Sequence, residues 1–189
     1  MPLLEEAYRA AKKYPRLRWV GPQLLDAYAK AGEDAKYANL LREQLAEARK
    51  SLPKVSPQLA GLLAQIGMAL LEQKKGAEAE PLIRECLAIR EKTQPDFWLT
   101  FSTKSMLGGA LLGQKKYADA EPLLLAGYEG MKKQEAKIPP QGKVRLTEAV
   151  ERLVQLYEAT GKKDEAARWR KELEATEAAQ KKTEKKPPG

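Results

Sequence analysis

The stretch GMALLEQKKGAEAEPLIRECLAIREK (residues 67–92) is answered by GGALLGQKKYADAEPLLLAGYEGMKK (residues 108–133). Self-similarity at this period marks a supersecondary unit that cannot bury its apolar face alone and must stack on copies of itself. Taking the alanine of the AEAEPL phrase as anchor, the equivalent positions are Tyr37, Ala79, Ala120 and Ala166, spaced 42, 41 and 46 residues apart. Four units follow, and in such an array function belongs to the stacked surface rather than to an isolated catalytic motif.

Each unit reads as helix, tight turn, helix. The first helices are expected over about 18–31, 57–73, 97–113 and 143–160, and the second over about 34–50, 77–92, 118–134 and 164–179. Apolar residues recur at helical spacing, as in Leu59, Leu62, Leu63, Ile66 and Leu70 or Leu146, Val150, Leu153, Val154 and Tyr157. The punctuation agrees. Ser56-Pro57 reads as a cap with proline at the first helical position, and Asp96 stands in the corresponding place one unit later. Gly32 and Gly161 supply left-handed residues at the ends of first helices. Pro81 and Pro122 fall near the first turn of second helices, and 138–142 (IPPQG) forms the linker behind the longest interval. Small residues stand where helices approach closely: Gly67 and Gly108 in first helices, Cys86 and Gly127 in second ones. Cys86 reads as a packed small hydrophobe.

Composition narrows the chemistry. A chain of 189 residues with no histidine and one cysteine lacks the usual ligands for zinc and any Ser-His-Asp or Cys-His nucleophile pair. There is no phosphate-binding loop, no HExxH and no kinase signature. Gly108, Gly109 and Gly113 lie within a helical apolar pattern, and Glu5-Glu6 or Glu148 with Glu151 read as solvated faces. The expectations are no enzymatic activity, no catalytic residue, no metal and no cofactor. The N-terminal residues mix acids and bases where a signal peptide needs an apolar run, and no stretch approaches a membrane span, so a soluble cytoplasmic chain is expected.

The helix pairs with ALL…QKKYADAEPLL, the small residues flanking the turn and the period near 42 resemble the tetratricopeptide repeat, in the longer variant of kinesin light chains. Residues 96–173 resemble the ends of repeat arrays that follow the kinase domain in many bacterial serine/threonine kinases. The resemblance covers residues 18–175 and implies an all-α fold, a right-handed superhelical array of antiparallel helix pairs. It divides the chain into an N-terminal helix (1–17), a divergent first repeat (18–54), three further repeats (55–95, 96–141 and 142–179) and a disordered basic tail (180–189). The N-terminal helix is either a solvating cap or the remnant of a preceding unit.

The resemblance implies a protein-interaction module whose concave surface is lined by one stripe of each first helix. The groove residues so carried over are Trp19, Asp26 and Lys30 in the first unit, Ala64, Met68 and Leu71 in the second, Ser102, Ser105 and Gly109 in the third, and Glu148, Glu151 and Gln155 in the fourth. The paired asparagines usual in kinesin-light-chain repeats are replaced by Pro22-Gln23, Ala64-Gln65, Ser105-Met106 and Glu151-Arg152. The middle of this groove is small and apolar and its end acidic, which suits an apolar peptide or helix with a basic flank. Self-coverage by the N-terminal helix or a second copy is the alternative. The net charge of +8 is then assigned to the convex face, turns and tail, where Lys74-Lys75, Lys115-Lys116 and Lys162-Lys163 could form a ladder. Nonspecific nucleic-acid contact through that ladder ranks below both readings.

Overall fold

The computed structural model describes residues 2–11 and 20–184, the side chains of Ala11 and of residues 181–184 excepted. Every regular element among them is helical: α1 (Pro2–Ala11), α2 (Val20–Lys30), α3 (Asp34–Ser51), α4 (Pro57–Glu72), α5 (Gly76–Thr93), α6 (Trp98–Gly113), α7 (Tyr117–Lys133), α8 (Val144–Ala159) and α9 (Lys163–Glu184). The chain forms two units, residues 1–52 and 53–189.

The same turn joins α2 to α3, α4 to α5, α6 to α7 and α8 to α9. In each, an amide reaches back five residues: Glu33 to Tyr28, Lys75 to Leu70, Lys116 to Leu111 and Lys162 to Tyr157, at 2.8–3.0 Å. This bond closes a helix end around one left-handed residue. That residue is Gly32 or Gly161 in the outer turns but Lys74 (φ 58°) or Lys115 (φ 61°) in the inner two. The next carbonyl already accepts the first bond of the following helix, so the helices join with almost no loop.

In the second unit the hairpins α4–α5, α6–α7 and α8–α9 stack, with α5 on α6 and α7 on α8. Close approach is specified by a repeated small-against-large pair. A Cβ on Gly67 would lie 2.6 Å from Ile83 Cγ1, and one on Gly108 would lie 2.6 Å from Leu124 Cγ. Gly127 sits still tighter, its absent Cβ 2.6 Å from the Ser105 amide and 2.8 Å from the Phe101 carbonyl oxygen. Its counterpart Cys86 is fully buried with Sγ 3.2 Å from the Ala60 carbonyl oxygen. Burial pushes its thiol pKa up.

Some local expectations are corrected. Ser56 caps α4, its hydroxyl accepting from the Leu59 amide at 3.2 Å, but α6 begins after Phe97 without a side-chain cap, and Asp96 precedes that position. Pro81 and Pro122 lie in the second turn of α5 and α7 rather than the first, so each removes one intrahelical hydrogen bond. The linker folds into two short 3-10 turns, with Ile138 buried and Gly142 against the Trp98 ring. The last helix continues to Glu184 through the start of the expected tail, and residues 185–189 lie outside the described residues.

In the first unit, Leu24, Tyr28 and Leu40 form a small core with Leu4, Tyr8, Leu25 and Tyr37 packed against it. Helix α1 repeats the second-helix pattern: PLLEEAYRAAKK (residues 2–13) aligns with PLLLAGYEGMKK (residues 122–133). Tyr8 thus corresponds to Tyr128, and Ala7 and Ala10 to Gly127 and Gly130. Those glycines are buried against α6, whereas Ala7 and Ala10 are exposed.

Candidate partner-binding groove

The first helices of the second unit, α4, α6 and α8, lie side by side and enclose an open groove of about 670 Å³. Its middle is apolar, formed by Met68 and Leu71 of α4 and Gly109 and Leu112 of α6. These side chains are half-buried because the helical period turns them away from α5 and α7 without giving them another partner. Gln155 of α8 stands at the level of Met68 and Gly109 by the repeat register.

Two charged groups flank this middle. At the turn end, Lys74 and Lys115 line the groove from equivalent left-handed positions, with Glu72 beside them. At the other end stand Arg145, Glu148, Glu151 and Arg152 of α8. Glu148 is held from both sides: Arg145 donates to Oε1, and Arg152 Nη2 donates to Oε2 at 3.1 Å. Arg152 Nη1 donates to Ser105 Oγ at 3.2 Å. A Cβ on Gly109 would lie 2.9 Å from Arg152 Cδ and Nε, so only glycine there leaves room for the side chain to cross from α8 to α6. Desolvation lowers the pKa of Arg152, opposed by the charge of Glu148. Glu151 makes no ion pair among the described residues; burial, then repulsion from Glu148, raises its pKa.

Six of the residues expected in the groove therefore line it together: Met68, Leu71, Gly109, Glu148, Glu151 and Gln155. Ala64, Ser102 and Ser105 are buried beneath its floor, Ser105 engaged by Arg152. Asp26 and Lys30 are exposed in the first unit and pair with each other at 2.7 Å. Trp19 lies outside the described residues. The sequence pattern did not place the charged side chains Arg145 and Arg152 in the groove, nor Lys74 and Lys115, which it assigned to the turns away from it. Arg152 stands where a repeat of this type usually carries asparagine, and the acid four residues before it and the small residue at 109 are the signals that could have found it.

Two lysines of the expected ladder are neutralised on its other side. Lys116 reaches back to Glu80 of the preceding hairpin at 3.1 Å, and Lys162 to Glu121 at 3.0 Å. Gln114 reinforces the first clamp at 2.7 Å and Tyr157 the second at 3.0 Å. Glu80 and Glu121 are the same residue of successive repeats, the glutamate before the helix proline. The hydrogen bonds from Gln114 and Arg84 hold the Glu80 carboxyl down to about 2. The bond from Lys162 holds Glu121 low, and burial with the bond to Glu121 raises Tyr157 to about 12.

Among the described residues there is no group of three metal-ligating side chains, and no helix is long and apolar enough to cross a membrane. Helix pairs joined by tight turns, stacked through small residues and leaving a first-helix groove, define a helical-repeat array. Residues 59–93 match the tetratricopeptide repeat family, and the chain has the fold of tetratricopeptide-type arrays. Nearly identical TPR-like repeats of kinesin-light-chain type from Podosopora anserina superpose with a TM-score of 0.69 at 21% identity, over 98% of this chain and 87% of that one. A point variant of the same repeats gives 0.72 at 20% identity, over 96% and 86%. BtubC (BKLC) from P. vanneervenii gives 0.53 at 18% identity, over 98% and 90%. No curated protein matches the sequence.

Proposed function

We propose that the chain is a noncatalytic protein-binding module whose partner docks in the groove formed by α4, α6 and α8. The observation that carries this reading is the half-buried apolar middle, Met68, Leu71 and Leu112, set in a concavity of about 670 Å³ and flanked by charge. Exposed apolar surface in a rimmed concavity is the ordinary mark of a contact site. The scaffold supplies a preformed surface, so little ordering entropy is lost on its side when a partner binds. The resemblance of residues 96–173 to kinase-linked arrays supports reading the module as the interaction region of such a protein in a bacterial cytoplasm.

Selection of a random linear peptide library on the purified chain tests this. Enriched peptides with an apolar centre, lost against Met68→Glu while the far-ultraviolet dichroism is unchanged, support the reading. No enrichment from folded protein, together with self-association on dilution series in light scattering, replaces it with a self-covered structural segment.

A further inference from the structure

The groove is ordered along the first-helix axis. The repeat register places Glu151 level with Ser105 and Ala64, and Gln155 level with Gly109 and Met68. Lys74 is ten residues further along than Ala64, so the cationic rim and Glu151 are separated by about 15 Å of helix. Between them lie Met68, Leu71, Gly109, Leu112, Gly113 and Ala159, with Gln155 as the polar side chain at the level of Met68 and Gly109.

The charges left for a ligand differ at the two ends. Neither Lys74 nor Lys115 has a carboxylate within ion-pair distance among the described residues, and against the two of them stands one acid, Glu72. At the far end Arg145 and Arg152 share Glu148, and Glu151 with Glu177 of α9 brings the acids to three against two arginines, one negative charge in excess. The turn end therefore attracts an acid and the far end a base.

The middle also decides the conformation of the ligand. An extended peptide crossing it would bury a run of amides and carbonyls where Gln155 is the side chain of the middle that offers a hydrogen bond, and each group left without a partner weakens binding. A helix satisfies its own backbone and presents only side chains. Its ends also fix direction: a helix is stabilised by acids at its N-terminus and bases at its C-terminus. The acidic end must meet Lys74 and Lys115, which follow the C-termini of α4 and α6.

We propose that the occupant is an amphipathic α-helix of a partner protein, antiparallel to α4, α6 and α8. It is acidic at its N-terminal end, apolar through about three turns and basic at its C-terminal end. This rests on the groove reading above. Complementary charge gives it register and direction, while Met68, Leu71 and Leu112 supply the burial.

The probe is a display library built on a monomeric helical-hairpin scaffold, with the groove-facing positions of one helix randomised over four turns. It is selected on the folded chain alongside the linear library. The expected result is enrichment of helices with Asp or Glu in the first turn, apolar middle positions and Lys or Arg in the last turn. An enriched helix should lose about tenfold in affinity against the Lys115→Glu/Glu151→Lys variant and recover when its own end charges are exchanged. Enriched helices with the opposite charge order, or with no loss against that variant, overturn the orientation. Linear peptides that bind and fail on Met68→Glu, with no helix enriched, overturn the helix while leaving the groove reading intact. Failure of both libraries overturns both.

Discussion

Gly127 and Gly61 both sit inside helices, yet alanine at each should move stability in opposite directions. At Gly61 a new Cβ meets nothing within 4 Å, so only the backbone term remains, and alanine is favoured in a helix interior by about 1 kcal/mol. At Gly127 the same term is opposed by two backbone atoms, the Ser105 amide nitrogen at 2.6 Å and the Phe101 carbonyl oxygen at 2.8 Å. Neither can rotate away, so α7 must move off α6 by roughly 0.8 Å to reach ordinary contact, and a gap of that size forfeits a quarter to a half of each dispersion well it opens. Overpacking of this kind costs about 1–3 kcal/mol, and the parting of the most extensively packed hairpin adds to it. The net expectation for Gly127→Ala is a loss of about 3 kcal/mol, or roughly 6–12 °C in a chain of this size, against a gain of roughly 2–4 °C for Gly61→Ala. Thermal melts followed at 222 nm, with urea titration to check that the slope is unchanged, measure both. A Gly127→Ala protein that melts at or above the parent temperature would refute the claim that backbone contact sets the α6–α7 spacing.

Three further outcomes follow from the turns, the clamp and the thiol. Lys115→Gly should raise stability by about 1 kcal/mol, because a left-handed lysine is strained where glycine is not; an unchanged urea midpoint would count against the strain. The Glu80 carboxyl is depressed from an ordinary 4.5 to about 2, so its contribution is complete above pH 4.5 and drains away as the pH falls toward 2. Solvent screening of this partly exposed cluster reduces that contribution to about 1–2 kcal/mol. Glu80→Gln should therefore flatten the stability profile in that window and leave its shape above pH 5 unaltered. Cys86 should resist a disulfide reagent in the native protein and react only at the rate of unfolding, since it is buried with a raised pKa. Rapid native labelling would contradict that packing.

The hairpins were legible because the repeat is written in residues that fold locally: apolar spacing for the helices, Gly32 and Gly161 for turns, and Gly67, Gly108 and Gly127 for close approach. Lys74 and Lys115 hide the same turn, since lysine carries no left-handed signature and only the alignment with glycine positions betrays it. The groove was legible in its apolar part, where one helical stripe decides exposure. Its charge was not, because the partners of Glu148 and Ser105 depend on where a long arginine lies across two helices. Nothing in the local pattern says that Arg152 turns toward Ser105 rather than toward water. The clamp between Lys116 and Glu80 escapes for the same reason: it joins residues 36 apart through the stacking of hairpins.

The Lys-Lys pairs of the turns show how one local motif serves two surfaces. The left-handed residue and its successor emerge on opposite sides of the hairpin. At 74 and 115 the first lysine lines the groove, while Lys116 meets the acid of the preceding repeat, as Lys162 does in the last turn. In that last turn Gly161 replaces the first lysine, so the clamp persists without a groove cation. Stacking therefore needs only the second position, and it does not explain the lysine at the first. A residue held in a conformation that costs about 1 kcal/mol, where glycine occupies the same place in two other turns of the chain, points to a role outside folding. Lys74 and Lys115 face the one rim where the groove has an uncompensated positive charge. Lys115→Gly accordingly separates the two contributions: the variant should fold more stably and bind an acidic-ended helix less well.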